Sequence, residues 1–312
     1  MSINPEISNT TQDNEINIKE VLLILLQGKK LLSIFLFLGF SLATIYALYL
    51  PDIYKSEAIL APVEPQSGIS KTANAFDSLA GLAGIEFDAP KVGDKTSEAV
   101  EKLSSLSFFT NSILPFIELQ DLLAVDSYNY SSNIITYDKK KFDPLENKWV
   151  RNVNFPRKQV PTPQEAYKTF AQILSIDEDE DTGFVKIGIE HQSPFIAEKW
   201  TSLVFRGINK TFSDIDKLEA EKSIEYLNKQ ISDTNFAEIK VALSELIQRE
   251  IQKLTLIEST DDYVFQYIDP PVIEENKNRP RRTMICIIGS ILGFVIGCII
   301  LIFPMLKERL SL

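Results

Sequence analysis

At 312 residues, with 45% hydrophobic and 24% charged residues, the chain is long enough to bury a sizeable core. Its formal net charge of −11 argues against nucleic acid as a partner. Two cysteines and a single histidine leave little material for a thiolate metal site or for histidine-based catalysis.

Residues 1–30 read as a polar to amphipathic lead. Leu31 to Leu50, LLSIFLFLGFSLATIYALYL, then carries no charge. At about 1.5 Å per residue it reaches roughly 30 Å, the thickness of a bilayer's hydrocarbon core. A cleavable signal has an apolar core of only about 7 to 15 residues followed by a small-residue cleavage site. This run is 20 residues long and starts too late to be one. A second uncharged run, Thr283 to Phe303, TMICIIGSILGFVIGCIILIF, predicts a second span. Two spans place both termini on one side, residues 51–282 on the other as one domain, and residues 304–312 as a short returning tail. Flanking charge does not decide the side: Lys19, Lys29, Lys30, Lys307 and Arg309 face Lys55, Lys277, Arg279, Arg281 and Arg282. The first helix usually dominates and long loops translocate largely regardless of charge, which puts both termini in the cytoplasm.

Charge is divided the same way. From Asp52 to Asn278 there are 24 Lys and Arg against 38 Asp and Glu, a net of −14, while the remainder carries +3. Both cysteines, Cys286 and Cys298, fall in the second span, about 18 Å apart on one helix and beyond disulfide reach. On the same span Gly289, Gly293 and Gly297 recur every fourth residue, as Gly39, Ala43 and Ala47 do on the first. Such strips of small residues let two helices approach closely in a membrane, so these six are the expected packing residues.

Within the domain, Tyr54, Ser56, Ala58 and Leu60 alternate with Lys55, Glu57 and Ile59, a strand ended by Pro62 and Pro65. Residues 68–85 are Gly/Ala-rich, the composition of a mobile loop or a close small-residue contact. A helix is predicted from Ser97 through Leu106, continuing after a break over Phe108 to Leu123 around Pro115. Residues 126–148 read as polar and irregular. Strands follow at Lys148 to Phe155 and Gly183 to Glu190, with a proline-started helix over Pro161 to Ile176 between them. From Pro194 to Thr260 no proline intervenes and apolar residues recur every three or four positions: Trp200, Ile208, Ile215, Ile224, Ile231 and Leu243 among them. A continuous helix over about 195–260 would be on the order of 95 Å long. It would have to bury its stripe on its own chain or on copies of it, which makes those six the expected oligomer contacts. A break near Ser232 to Asn235 is the competing reading. Tyr263 to Ile268 forms the last strand. It lies near the second span as the first strand lies near the first, so the two are expected side by side in one sheet near the bilayer.

No catalytic constellation emerges. His191 stands alone beside a strand end, and the acidic run Asp177 to Asp181 lacks the Asn/Gly spacing of a calcium loop and reads as a solvated turn. GxxxxGK[ST], GxSxG, HExxH and GxGxxG are all missing. Catalytic, metal and cofactor residues are therefore expected to be none.

The order of parts resembles a known family. INIKEVLLILLQGKK before the first span, ALYLPDIYKSEAILAP after it, SIDEDEDTGFVKIGIEHQSPFIAEKWTSLVFRGIN, AEKSIEYLNKQISD, VFQYIDPPVIEENKNRPRR and the Gly-rich second span look like the Wzz-type chain-length determinants. The similarity runs from about Ile16 to Lys307 and is most specific in TGFVKIGIEHQSP and DPPVIEENKNRP; segments 68–85 and 126–148 match loosely. The resemblance implies a class 1 polysaccharide co-polymerase of α+β class. Its two transmembrane helices would flank a periplasmic domain with a membrane-proximal α/β base and a long helical hairpin. It further implies an inner-membrane, ring-like homo-oligomer that sets the modal length of O-antigen or a related glycan. The implied partners are a Wzy-type polymerase and an undecaprenyl-pyrophosphate-linked glycan. A tyrosine-kinase class is not indicated, since nine residues follow Phe303. Two other readings share the topology: a two-span sensor, for which no cytoplasmic output module is visible, and an accessory length or export factor for enterobacterial common antigen or capsule, since fold cannot name the glycan.

Overall fold

The computed structural model describes residues 25–63, 92–179 and 181–310. The Gly/Ala-rich segment 68–85 and most of the N-terminal lead lie outside them. In chain order the principal elements begin with α1 (Lys29–Tyr49), β1 (Tyr54–Pro62), α2 (Val92–Leu103) and α3 (Leu119–Leu123). The middle of the chain adds β2 (Val125–Asn129), β3 (Ile134–Tyr137), β4 (Phe142–Asp143), β5 (Lys148–Trp149), α4 (Pro163–Ile173), β6 (Leu174–Glu178) and β7 (Val185–His191). The last are α5 (Pro194–Asp233), α6 (Ala237–Ser259), β8 (Phe265–Asp269) and α7 (Arg282–Leu310). Between α2 and α3, residues 106–116 make short turns of α, π and 3-10 type ending at Pro115 and Phe116.

The chain divides into two compact units, Met1–Pro51 with Arg279–Leu312, and Asp52–Asn278. In the first, α1 and α7 are both long and apolar enough to cross a membrane.

In the second, a four-stranded antiparallel sheet has the order β6-β7-β1-β8. The first and last strands of the domain therefore pair, Leu60 opposite Tyr267 and Pro62 opposite Phe265. The period-two pattern of β1 is realised: Tyr54, Ser56, Ala58 and Leu60 are all buried. Ala58, Leu60, Val185, Ile187, Ile189 and Phe265 form the floor of the core, and Trp200, Val204, Phe205, Ile208 and Phe212 of α5 cover it. Phe108, Phe109 and Ile113, with Phe170 of α4, complete the same cluster. Pro163 stands in the first turn of α4, whose N-cap Thr162 accepts from the Glu165 amide at 3.3 Å.

Several expectations are corrected. Segment 126–148 contains two small hairpins, β2–β3 and the start of β4–β5, closed over a satellite core of Ala124, Phe142 and Trp149. Its polar composition hid them because most of their residues face solvent. The strand at 148 ends at Trp149, and the helix expected to reach Ile176 stops at Ile173, where Leu174 turns extended and begins edge strand β6.

The long helix is the largest correction. It is broken at Thr234, Asn235 and Phe236, with extended backbone at Thr234 (φ −94°, ψ 144°) and Phe236 (φ −86°, ψ 119°). Ser, Asp, Thr and Asn in succession offer the backbone alternatives to helical hydrogen bonding. Folding back lets two arms of about 60 and 35 Å lie against each other. Ion pairs Lys217–Glu258 (2.6 Å) and Lys253–Glu219 (3.5 Å) bridge α5 and α6, and Ile257 is buried.

Candidate functional site

Inside the membrane unit, the small residues of α1 and α7 meet. A Cβ added to Gly39 would lie 2.5 Å from the Gly289 carbonyl oxygen and 3.0 Å from the Gly293 Cα. One added to Gly289 would collide with the Ala43 methyl, and one added to Gly293 with the Phe35 carbonyl oxygen. Gly297 lies farther along the same seam, where a Cβ would come within 3.2 Å of Leu32 and Phe35. Ala47 is buried, and at the next step from Gly289 the Thr44 hydroxyl lies 3.5 Å from the Cys286 sulfur. Contacts descend one helix as they climb the other, an antiparallel crossing in which backbone touches backbone. With no hydrophobic drive between helices in lipid, that close approach is what gains dispersion energy.

The hairpin behaves differently along its length. Trp200 and Ile208 are 1% and 0% exposed inside the domain's own core, so they are not available to another copy. Periodicity placed them on one stripe with the rest, but the sheet consumes the first turns of that stripe. Past Ala220, α5 buries no residue, and α6 buries only Ile257. Ile215 is 48% exposed; Ile224, Ile231 and Leu243 are half-buried. Leu218 and Tyr226 on α5, with Ile239, Leu246 and Ile251 on α6, are exposed apolar side chains. Together they make a long apolar surface that a single copy does not cover.

Polar ties fix the base of this hairpin. The buried Asn209 side chain acts as a strand edge for the start of β8: its Oδ1 accepts from the Val264 and Phe265 amides at 2.8 and 2.9 Å, and its Nδ2 donates to the Phe265 carbonyl at 2.9 Å. Two turns on, the buried Asp216 carboxylate accepts from the Lys95 ammonium and from the Tyr263 hydroxyl, while Lys95 sits 5.0 Å above the Tyr263 ring. Burial pushes the Asp216 carboxyl up, but these two hydrogen bonds and the Lys95 charge outweigh it and hold the group below the usual carboxylate range. The Tyr263 hydroxyl is raised by burial and by donating to that carboxylate. None of Asn209, Asp216, Lys95 or Tyr263 stood out in the sequence. The available signal was two polar residues seven apart, 209 and 216, on an apolar helical face.

His191 ends β7. It is buried and lies 5.3 Å from the Trp200 ring, centroid to centroid. It lines a groove of about 440 Å³ with Ile53, Asp121, Leu123, Lys141 and Glu190. Among the described residues, no group of three or more His, Cys, Asp or Glu is arranged to hold a metal ion. The acidic run near Asp177 forms the end of β6 and the turn after it, where the Asp179 carboxylate accepts from the Asp181 and Thr182 amides.

The family model described as Wzz, chain length determinant protein, matches residues 14–113. No curated protein matches the chain's sequence. Among solved structures, a full-length bacterial polysaccharide co-polymerase is 15% identical over 94% of this chain and 99% of that one, with a TM-score of 0.40. A fragment of WzzB, polysaccharide co-polymerase from Salmonella Typhimurium, is 14% identical over 73% and 100%, with a TM-score of 0.32. A mutant of the Shigella flexneri lipopolysaccharide O-antigen chain-length regulator WzzBSF is 14% identical over 73% and 100%, with a TM-score of 0.24. Superpositions that loose carry no argument about this chain.

Proposed function

We propose that this chain, whose residues 14–113 match the model of the Wzz family of chain length determinant proteins, is a member of that family and sets the modal length of a surface polysaccharide as a non-catalytic homo-oligomeric scaffold. The polysaccharide in this reading is lipopolysaccharide O-antigen, extended on undecaprenyl pyrophosphate by a Wzy-type polymerase in the inner membrane. Residues 52–278 face the periplasm and both termini the cytoplasm. The family match carries the reading. Supporting it are the two helices apolar enough to cross a membrane and the uncovered apolar surface of the hairpin. Copies of the chain lie against one another along that surface, through Ile215, Ile224, Ile231 and Leu243. The seam of Gly39, Ala43, Gly289 and Gly293 holds the two crossings as one rigid pair on which the polymerase docks.

A glycan ladder from a deletion strain, with and without the restored gene, tests this. The expected result is loss of the modal cluster of bands on deletion and its return on complementation. An unchanged ladder with altered display of enterobacterial common antigen or capsule would instead point to an accessory role for those glycans.

A further inference from the structure

We propose that His191 is a pH-operated pin: its protonation on mild acidification uncouples α3 from the turn that launches α5, and so loosens the joint at the root of the hairpin. This does not rest on the reading of glycan length. Both ring nitrogens are engaged, and with backbone groups of opposite kind. The Ser193 amide lies 2.9 Å from Nδ1, and an amide can only donate, so Nδ1 must carry its lone pair. Nε2 lies 2.9 Å from the Asp121 carbonyl oxygen, which can only accept, so Nε2 carries the hydrogen. One neutral tautomer satisfies this site. Adding a proton at Nδ1 turns it into a donor facing a donor, on a ring that is buried against Trp200.

What the ring joins is the reason for a mechanical consequence. Ser193 is the N-cap of α5, whose side chain makes no capping bond. Asp121 lies in α3, a helix of five residues held on the flank of the domain. Through His191 the two are pinned to the last residue of β7. Losing the Ser193 bond frees the first turn of α5, and turning the ring away frees α3.

The charged and titratable groups around the ring are few. From α3 comes Asp121, whose carboxylate accepts the Tyr137 hydroxyl at 2.6 Å. Lys141, before β4, reaches the Leu123 carbonyl at 3.3 Å. Glu190 of the same strand accepts from Asn278 at 3.1 Å, and Tyr54 stands opposite His191 across the β1–β7 ladder. From α4 only Thr169 and Ile173 line the groove, and α5 offers Ser193 and the Trp200 ring. No carboxylate is bonded to the ring itself, so burial prevails and its proton affinity falls below that of a free histidine. The sign follows: an unfolded histidine titrates near about 6.5. The stability carried by the neutral ring is full above that pH and is lost as pH falls toward the lower folded value.

The chain contains one histidine, so the test is unambiguous. The full chain, purified in detergent without a histidine tag and labelled with ¹³C-histidine, shows a single imidazole signal. Its midpoint is expected below that of free histidine, because burial disfavours the charged ring. Below that midpoint, hydrogen exchange corrected for the intrinsic pH effect should accelerate several-fold in segments 119–123 and 191–197, with little change in β1. The variant His191→Gln, neutral at every pH, should lose this acid-induced difference. A midpoint at or above that of free histidine, or exchange in both segments that merely follows the rest of the domain, overturns the proposal. Should the variant fail to fold, titration and exchange on the parent chain decide it alone.

Discussion

Asn209 shows how much one side chain can hold. Its amide makes three buried hydrogen bonds to the backbone of Val264 and Phe265, at the point where the chain returns from the hairpin to the sheet. Leucine fills nearly the same volume but leaves two amides and a carbonyl without partners, at a cost of about 1 to 3 kcal/mol each. Asn209→Leu should therefore lower domain stability by about 3 kcal/mol or more, read by chemical denaturation of the full chain in detergent. Asp216 carries a pH signature. Its carboxyl is held below the ordinary range, so the stability it adds is present above the unfolded value of about 3.9 and is lost as pH falls beneath it. Asp216→Asn should be less stable than the parent at pH 7 and should lose less on acidification from pH 5 to pH 3; parallel thermal profiles of the two proteins would refute this. At this scale the sequence was least legible. A lone Asn or Asp in a helix has no local mark of burial, because the groups that satisfy it, Val264 and Tyr263, are about fifty residues away.

At the scale of elements, the two membrane helices and the hairpin were open to reading by pattern to different degrees. The strip of Gly39, Ala43, Gly289 and Gly293 is legible because a four-residue period in a helix is a single face, and the antiparallel crossing brings that face together. Replacing Gly293 by Leu thrusts a branched side chain into the Phe35 backbone and should remove about 1 to 2 kcal/mol of packing per contact. The domain has its own core, so protein level and domain folding should persist while the glycan ladder loses its preferred length. Ile288→Leu, on the exposed side of the same helix, is the control. Equal ladders from the two variants and the parent would show the seam to be dispensable. The hairpin was half legible. Its apolar period ran through both arms, and only the short polar cluster at 232–235 marked the turn. A helix period is the same whether the chain goes straight on or doubles back, so the choice depends on what the stripe packs against.

For the whole molecule, topology and assembly are the open quantities. A reporter active only outside the cytoplasm should be active when fused after Pro163 and silent at Asn14 or Leu312; activity at either terminus would reverse the orientation. Assembly separates surface from core. The parent in mild detergent should behave by light scattering as a closed oligomer of many copies. A charge introduced at Ile215 or Ile251, both about half exposed, should dissociate it while leaving the domain folded. The same charge at Trp200 should unfold the domain instead, since that ring sits in the core between β7 and α4. Dissociation without unfolding at Trp200, or no effect at Ile215 and Ile251, would remove the hairpin from the interface.

What the sequence by itself determined is everything that depends on neighbours one to four residues away. Two uncharged runs long enough for a bilayer, the alternation of β1, the Pro-started α4 and the small-residue strip all belong to that range. Pairing of the first strand with the last also came early, because two spans at the ends of one domain bring those strands together. Only the tertiary structure decided which part of the long apolar stripe is core and which is surface. Ile208 and Ile215 are the same residue type two turns apart, at nearly the same helical phase, yet one is buried in the core against the sheet and the other is 48% exposed. The same holds for β6, whose Leu174 and Ile176 continue a helical pattern until the open edge of β7 offers their backbone a partner. Burial is a property of what lies across from a residue, and that is set by chain segments far away in sequence.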